Sequence, residues 1–387
     1  MQKKKILVFI NYFGKKSETF ISDEIEFLSS QKDVDVTILH YGKDIPEKKV
    51  IGLYFESNFI KRWLKAVRKF DVKMFAALRY KNGLNGSLVS LIPFFRKSKF
   101  DTIYCHFGTN GKLIAELKEL KVIPKGTKLV VRFHGLDMNM KKYGKSFYNI
   151  LSNHSDAILY GTKMAEKKLN YYSFKEQLIN LPVGIKRNNI IALESIRKEN
   201  QLYEIFKVLS VGRFIELKGH HIALEIINKL KNHNVVLEII GDGPLLKDIE
   251  NEISFKKLET KIILLGSKPH YEVFSRLGNC HVYLYSGIYD AEGRCENQAT
   301  SVLEAMAQGC VVLASGLGGI TDYLIDGENG FIVEPGDVNQ FAEKLQWIMQ
   351  NYASDEIVKI RQNAIAEVEN NYCQEKLNEK LLKLLIN

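Results

Sequence analysis

The chain has 387 residues, 45% of them hydrophobic and 26% charged, an ordinary globular composition in a length that exceeds what one hydrophobic core usually supports, so two domains are expected. The net charge of +10 is uneven: residues 1 to 200 hold 37 Lys and Arg against 19 Asp and Glu, while residues 201 to 387 hold 18 against 26. A basic half attracts nucleic acid, anionic lipid or a phosphorylated substrate, and with no recognisable nucleic-acid-binding module beside it, nucleic acid is not expected as a partner.

The first apolar run, residues 6 to 10, is too short to cross a bilayer and lacks a signal-peptide cleavage pattern, which predicts a cytoplasmic chain that starts where the sequence does. Cys105, Cys280, Cys295, Cys310 and Cys373 are odd in number and form no C-x-x-C pair; buried or tolerated thiols in a reducing compartment fit them. Short β-branched or aromatic runs at 5 to 11, 34 to 40, 101 to 107, 128 to 133 and 156 to 161 alternate with amphipathic segments, the rhythm of a parallel sheet covered by helices. Asp33 and Asp35 spell D-x-D, but Val34, Val36 and Ile38 make that run an ordinary strand with outward carboxylates, and no metal is assigned. Residues 59 to 70, FIKRWLKAVRKF, read as a basic amphipathic helix that suits either packing within a domain or an anionic membrane surface. His106 ends the third run, and His134 with Asp137 follows the fourth, which is where doubly wound sheets bind ligands. One histidine there is usually structural; two at neighbouring strand ends point to a functional site.

After residues 180 to 189 the pattern restarts at 206 to 212, 235 to 243, 261 to 266, 281 to 286 and 310 to 315, so a second doubly wound domain begins near residue 190. The loop after its first strand carries Arg213 and Lys218; two cations beyond a strand end suit a phosphate, although solvated loop charges fit the same spacing. IIGDGPL, with Gly241, is a tight turn and not G-x-G-x-x-G, and the absence of that fingerprint at the first strand of the chain disfavours a nicotinamide enzyme. ENQATSVLEAMAQG sets Glu296 and Glu304 about two helical turns apart. A helix starting behind Glu296 offers the N–H groups of Asn297, Gln298, Ala299, Thr300 and Ser301 to an anion, and an acidic helix start that only complements the dipole fits equally well. The chain beyond residue 340 reads as two or three helices.

Taken in order, NYFGKKSETFI, YCHFGTNG, VRFHGLDM, VGRFIELKGH, IIGDGPL, ENQATSVLEAMAQG and GGITDYLIDGENGFIVEPGD resemble the retaining family 4 glycosyltransferases, most closely the colanic-acid-type branch that builds bacterial surface polysaccharides. The resemblance implies an α/β GT-B fold with two Rossmann-like doubly wound domains facing a central cleft. It places the acceptor domain at 1 to 188, the sugar-nucleotide domain at 189 to 365, and a C-terminal helix at 366 to 387 packing back on the first domain. The implied reaction moves a hexose from a nucleoside diphosphate sugar to a glycan or polyprenyl-diphosphate-linked acceptor of a capsule, exopolysaccharide or lipopolysaccharide, with retention and without a metal or other cofactor, at the inner face of the cytoplasmic membrane.

In that family the residues equivalent to Arg213 and Lys218 grip the donor diphosphate, Glu296 touches the sugar, Glu304 the ribose, and His134 lies by the reacting sugar. Gly14 and Ser17 fall beside the phosphates, Gly241 and the five residues after Glu296 count with the donor side, and His106 and Asp137 are candidates for the acceptor side. Asn297, Gln298 and Ala299 depart from the commoner Gly, apolar residue and Pro, and Lys15 and Lys16 follow a single Gly in the first loop, so the donor sugar is not fixed. The rival readings are a sugar-nucleotide epimerase or phosphorylase on the same fold, and a catalytically silent binding subunit of a polysaccharide assembly complex.

Overall fold

The computed structural model describes residues 3–14, 19–45, 49–53, 72–77, 85–174, 177–196 and 204–387. The basic segment at 59 to 70 and the loop residues Lys15, Lys16 and Ser17 lie outside them. Two compact units divide the chain, one formed by Met1–Pro182 with Asn378–Asn387 and the other by Val183–Leu377.

The first unit is built on β1 (Lys4–Phe9), β2 (Val34–His40), β3 (Val50–Gly52), β4 (Thr102–His106), β5 (Lys128–Arg132), β6 (Ala157–Tyr160) and β7 (Leu178–Asn180), ordered β3-β2-β1-β4-β5-β6-β7. Its strands pair in parallel throughout. A parallel sheet is covered on both faces, so its central strands must be apolar on both; Ile6, Leu7, Val8 and Phe9 of β1 are all fully buried. The second unit repeats the plan with β8 (Phe206–Val211), β9 (Val235–Ile240), β10 (Ile262–Leu264), β11 (Val282–Tyr285), β12 (Val311–Ser315) and β13 (Phe331–Val333), ordered β10-β9-β8-β11-β12-β13 and again parallel. Winding reverses between β1 and β4 in one sheet and between β8 and β11 in the other. Loops beyond the carboxyl ends of those strands leave a crevice at the reversal, the place where open α/β sheets bind ligands.

The structure moves both boundaries read from the sequence. The units part at 182/183 and not at 188/189, because the chain from Val183 onward is already fastened into the second unit: Ile185 donates to the Tyr372 carbonyl (2.8 Å) and accepts from the Gln374 N–H (2.9 Å). The tail contains three helices, Val338–Asn351, Asp355–Asn371 and Gln374–Ile386. The single helix expected at 366 to 387 is broken at Tyr372 and Cys373, where Cys373 bridges to Ile185. Residues up to Leu377 belong to the second unit and Asn378–Asn387 to the first, in which the Leu385 carbonyl accepts from Thr102 Oγ1 and the Leu384 carbonyl from Lys128 Nζ, each at 2.7 Å. β3, β7, β10 and β13 have three residues each, too few for periodicity to register, and of these only β10 lies in a run read from the sequence, 261 to 266. The cysteines are free thiols, with Cys105, Cys310 and Cys373 buried.

One backbone contact fixes the exit of β8. Gly219 has φ 61°, and a Cβ there would stand 1.9 Å from the Ser286 carbonyl oxygen beyond β11. Gly219→Ala is therefore expected to destabilise the protein by about 1–3 kcal/mol through combined backbone strain and collision. Gly126, where a Cβ meets nothing within 4 Å, is the control and should accept alanine within about 0.5 kcal/mol. Denaturant titration of both variants checks this, and equal midpoints would show that the close approach does not constrain the fold.

Candidate functional site

In the second unit the chain leaves β8 through Gly212 and Arg213 and enters a short 3-10 turn, Glu216–Lys218, ahead of the helix His220–Lys229. The turn is braced from beneath: His220 stacks on Phe214 with centroids 4.5 Å apart, and its Nε2 lies 3.2 Å from the Arg213 carbonyl oxygen. Burial lowers the His220 pKa to about 4, so the imidazole is neutral and adds no charge to the loop. Gly241 lies on the same loop from above, since at φ 155° its Cβ would fall 1.9 Å from the Gly212 carbonyl. That gives Gly241 the role of shaping the Arg213 loop. Arg213 itself is exposed, and its guanidinium makes no hydrogen bond or ion pair among the described residues.

Lys218 turns inward. Its Nζ donates to Glu296 Oε2 at 2.5 Å and stands 5.3 Å from the ring centroid of Tyr285, the last residue of β11. Glu296 sits on a loop and not on the helix that bears Glu304. That helix, Thr300–Ala307, starts three residues later than the sequence implied. The intervening residues are held outside the helix by other partners: Gly319 N–H donates to the Asn297 carbonyl (2.9 Å), Tyr323 OH to the Ala299 carbonyl (3.1 Å), and the Gln298 amide both donates to and accepts from the Val183 backbone (2.8 and 3.0 Å). Thr300 and Ser301 therefore open the helix, and Asn297, Gln298 and Ala299 precede it. Ser301 Oγ accepts from Tyr283 OH at 2.7 Å. Glu304 lies one turn on, 3.1 Å from Nε2 of the exposed His270, while Val302, Leu303, Ala305 and Met306 of the same helix are fully buried.

The first unit brings its two histidines together. His106 at the end of β4 and His134 just beyond β5 stack with 8° between their planes, and His106 Nδ1 is 3.1 Å from His134 Nε2. Beneath them Glu24 accepts from Tyr104 OH (2.9 Å) and pairs with the buried Arg132, which also donates to the Leu181 and Pro182 carbonyls. His106 Nε2 faces the Glu24 carboxylate at 3.6 Å, so the arrangement that suits both contacts puts a proton on His106 Nε2 and lets Nδ1 accept from His134. Burial brings the His106 pKa down to about 3, and burial with the neighbouring His106 and Arg132 holds His134 well below its ordinary value. Asp137 is engaged elsewhere: it accepts the N–H groups of Gly108, His134 and Gly135 at 2.8–3.0 Å, shaping the turn that presents His134. Gly14 has φ 76°, with nothing within 4 Å of a Cβ placed there. On the same loop, Asn11 Oδ1 accepts from the Asn110 amide (3.1 Å).

The structure adds residues that sequence reading passed over. Glu24, Tyr104 and Arg132 looked like ordinary helix and strand positions; a charged pair on two apolar-faced elements was the available signal. Tyr283, Tyr285 and Tyr323 read as core, and only their clustering under the Glu296 loop gives them a bearing on the site. His270 carries no spacing signal at all.

A family model described as glycosyl transferases group 1 matches residues 194–367. Across 98% of this chain and 99% of its own length, WcaL of Escherichia coli K12, named for colanic acid biosynthesis, is 26% identical. The amylovoran biosynthesis glycosyltransferase AmsK of Erwinia amylovora is 28% identical over 83% of this chain and 79% of its own. Among solved structures, Anabaena HepE in complex with UDP superposes with a TM-score of 0.74 at 14% identity, covering 98% of this chain and 99% of that one. The matched region contains Arg213, Lys218, Glu296 and Glu304, and the two parallel sheets agree with the fold of the solved relative. Residues 194–367 are thus a group 1 glycosyltransferase domain, and the chain has the GT-B fold.

Proposed function

We propose that this glycosyltransferase moves a hexose from a nucleoside diphosphate sugar to a glycan or polyprenyl-diphosphate-linked acceptor during synthesis of a bacterial surface polysaccharide, with retention of anomeric configuration. The observation that carries the reading is the meeting of Lys218 and Glu296 beyond the ends of β8 and β11, with the Arg213 guanidinium, which makes no ion pair among the described residues, on the same loop. A diphosphate offers Arg213 a counter-charge and Lys218 a stronger one than Glu296, and a carboxylate beside it offers a sugar hydroxyl an acceptor. The names of WcaL and AmsK support the pathway, and UDP bound to HepE supports the donor class.

In the proposed reaction the bond between the anomeric carbon and the diphosphate oxygen breaks, the acceptor oxygen bonds to that carbon from the same face, and its proton passes to the departing diphosphate. Arg213 and Lys218 stabilise the leaving charge, which is where electrostatic catalysis contributes most. Glu296 holds the sugar and Glu304 the ribose, and His134 on the first unit is assigned to the reacting groups. His106, fully buried and hydrogen-bonded to His134, acts through that ring, and Asp137 through the turn that carries it. The excess of Lys and Arg in residues 1 to 200 favours an anionic membrane surface for the acceptor.

Arg213→Ala and Lys218→Ala should each weaken UDP binding about tenfold, the loss of one charge-assisted hydrogen bond; calorimetry showing unchanged affinity in both would remove the phosphate site. Glu304→Gln should weaken UDP itself, whereas Glu296→Gln should reduce affinity for the sugar nucleotide and leave UDP nearly untouched. Equal losses of UDP affinity in the two variants would contradict that division. Because the two cations offset the diphosphate charge, turnover is expected to continue in EDTA, and complete loss that a divalent ion restores would show that a metal is required.

A further inference from the structure

We infer that Tyr285 is a positioning residue that takes over Glu296, by hydrogen bonding from its hydroxyl, when Lys218 leaves that carboxylate for the donor diphosphate. The inference rests on the reading of Lys218 and Glu296 given above. Three buried tyrosines lie under the Glu296 loop, and two of them have engaged hydroxyls: Tyr283 donates to Ser301 Oγ (2.7 Å) and Tyr323 to the Ala299 carbonyl (3.1 Å). The third does not. Tyr285 is 2% exposed, and its hydroxyl has no hydrogen-bond partner among the described residues. Buried hydroxyls are nearly always paired, because desolvation without a partner is costly. An unpaired one at a strand end in the site is therefore a group whose partner arrives in another state.

The neighbours identify that partner. The ammonium of Lys218 stands over the Tyr285 ring, 5.3 Å from its centroid, and reaches Glu296 Oε2 at 2.5 Å. One cation thus joins the tyrosine to the carboxylate. A diphosphate carries more negative charge than a carboxylate and draws the flexible lysine to itself, and Glu296 beside it then loses its counter-ion in a half-buried place. Without a replacement donor the carboxylate would be repelled outward, away from the sugar it has to hold. Burial, and after it the nearby Glu296 charge, keeps the Tyr285 hydroxyl protonated far above neutral pH, so it remains a donor throughout. Without ligand the lysine satisfies the carboxylate and the hydroxyl waits; with donor bound the hydroxyl satisfies the carboxylate and the lysine serves the phosphate. No proton changes hands.

Tyr285→Phe tests this, since it keeps the ring beneath Lys218 and removes only the hydroxyl. The parent, Tyr285→Phe, Glu296→Gln and the double variant are titrated by calorimetry with UDP and with UDP-glucose as probes. The expected result is unchanged UDP affinity in Tyr285→Phe, a fall of about tenfold in UDP-glucose affinity, thermal stability without ligand no lower than the parent's, and no further loss when the substitution is added to Glu296→Gln. If Glu296→Gln loses UDP-glucose affinity and Tyr285→Phe does not, or if the two losses add in the double variant, the inference is overturned while the reading of Glu296 stands. If neither the parent nor Glu296→Gln distinguishes UDP-glucose from UDP, the reading of Glu296 as the ligand of this sugar fails, and the inference fails with it.

Discussion

A carboxylate and an ammonium drawn from loops 78 residues apart can meet beyond two strand ends only where the backbones that carry them come together without side chains between them. The second unit meets that constraint with main-chain contacts. Ser286 Oγ donates to the Gly219 carbonyl at 2.8 Å, which ties the loop after β11 to the turn after β8, and the Gly319 N–H fastens the Glu296 loop from the other side. Half-buried ion pairs add little to stability once desolvation is counted. What this one contributes is position: two opposite charges are kept at a crevice where a charged ligand can exchange partners with them.

The first unit uses charge differently. Glu24 and Arg132 are both buried, and their polar atoms have partners in Tyr104 and in the carbonyls of Leu181 and Pro182. A buried network with its members satisfied is rigid and specifies one arrangement, and the low local dielectric makes any lost partner costly. It supports the stacked histidines from below and, by lowering their pKa values through burial, keeps them neutral hydrogen-bonding groups over the physiological range. In the other unit, among the described residues, the Arg213 guanidinium and the Tyr285 hydroxyl make no hydrogen bond.

How far the sequence spoke depends on the scale of the interaction. Parallel strands buried on both faces announce themselves as apolar runs, which is why β1, β8, β11 and β12 were legible, and β10 within the run 261 to 266, while the three-residue strands β3, β7 and β13 were not. The positions of Arg213, Lys218, Glu296 and Glu304 beyond strand ends followed from the same pattern, because strand ends are set by local sequence. The start of the Thr300–Ala307 helix did not follow. Its preceding residues have no helix-breaking composition, and they are kept out of the helix by partners distant in sequence, Val183, Gly319 and Tyr323, that spacing along one segment cannot reveal. Asp137 shows the same limit: a carboxylate at a strand end reads as chemistry, yet its three backbone hydrogen bonds make it part of the turn. Tyr285 is the reverse case, an apolar-looking strand residue whose relevance comes from a hydroxyl left without a partner.

Gln298 joins these two scales. In the sequence it stood out as a polar residue where relatives commonly carry an apolar one, next to the position expected to touch the sugar. In the structure its amide reads both the N–H and the C=O of Val183, the first residue of the second unit. Two hydrogen bonds from one planar amide to the N–H and C=O of one residue fix orientation as well as distance, so the loop bearing Glu296 is registered to the point where the chain enters this unit. A Pro two residues after Asn297 would stiffen the loop by restricting its backbone; this chain has Ala299 there and gains its stiffness from Gln298 and the Tyr323 hydroxyl instead. The departure from the commoner pattern is thus a change in how the loop is held, and it leaves Glu296 facing Lys218.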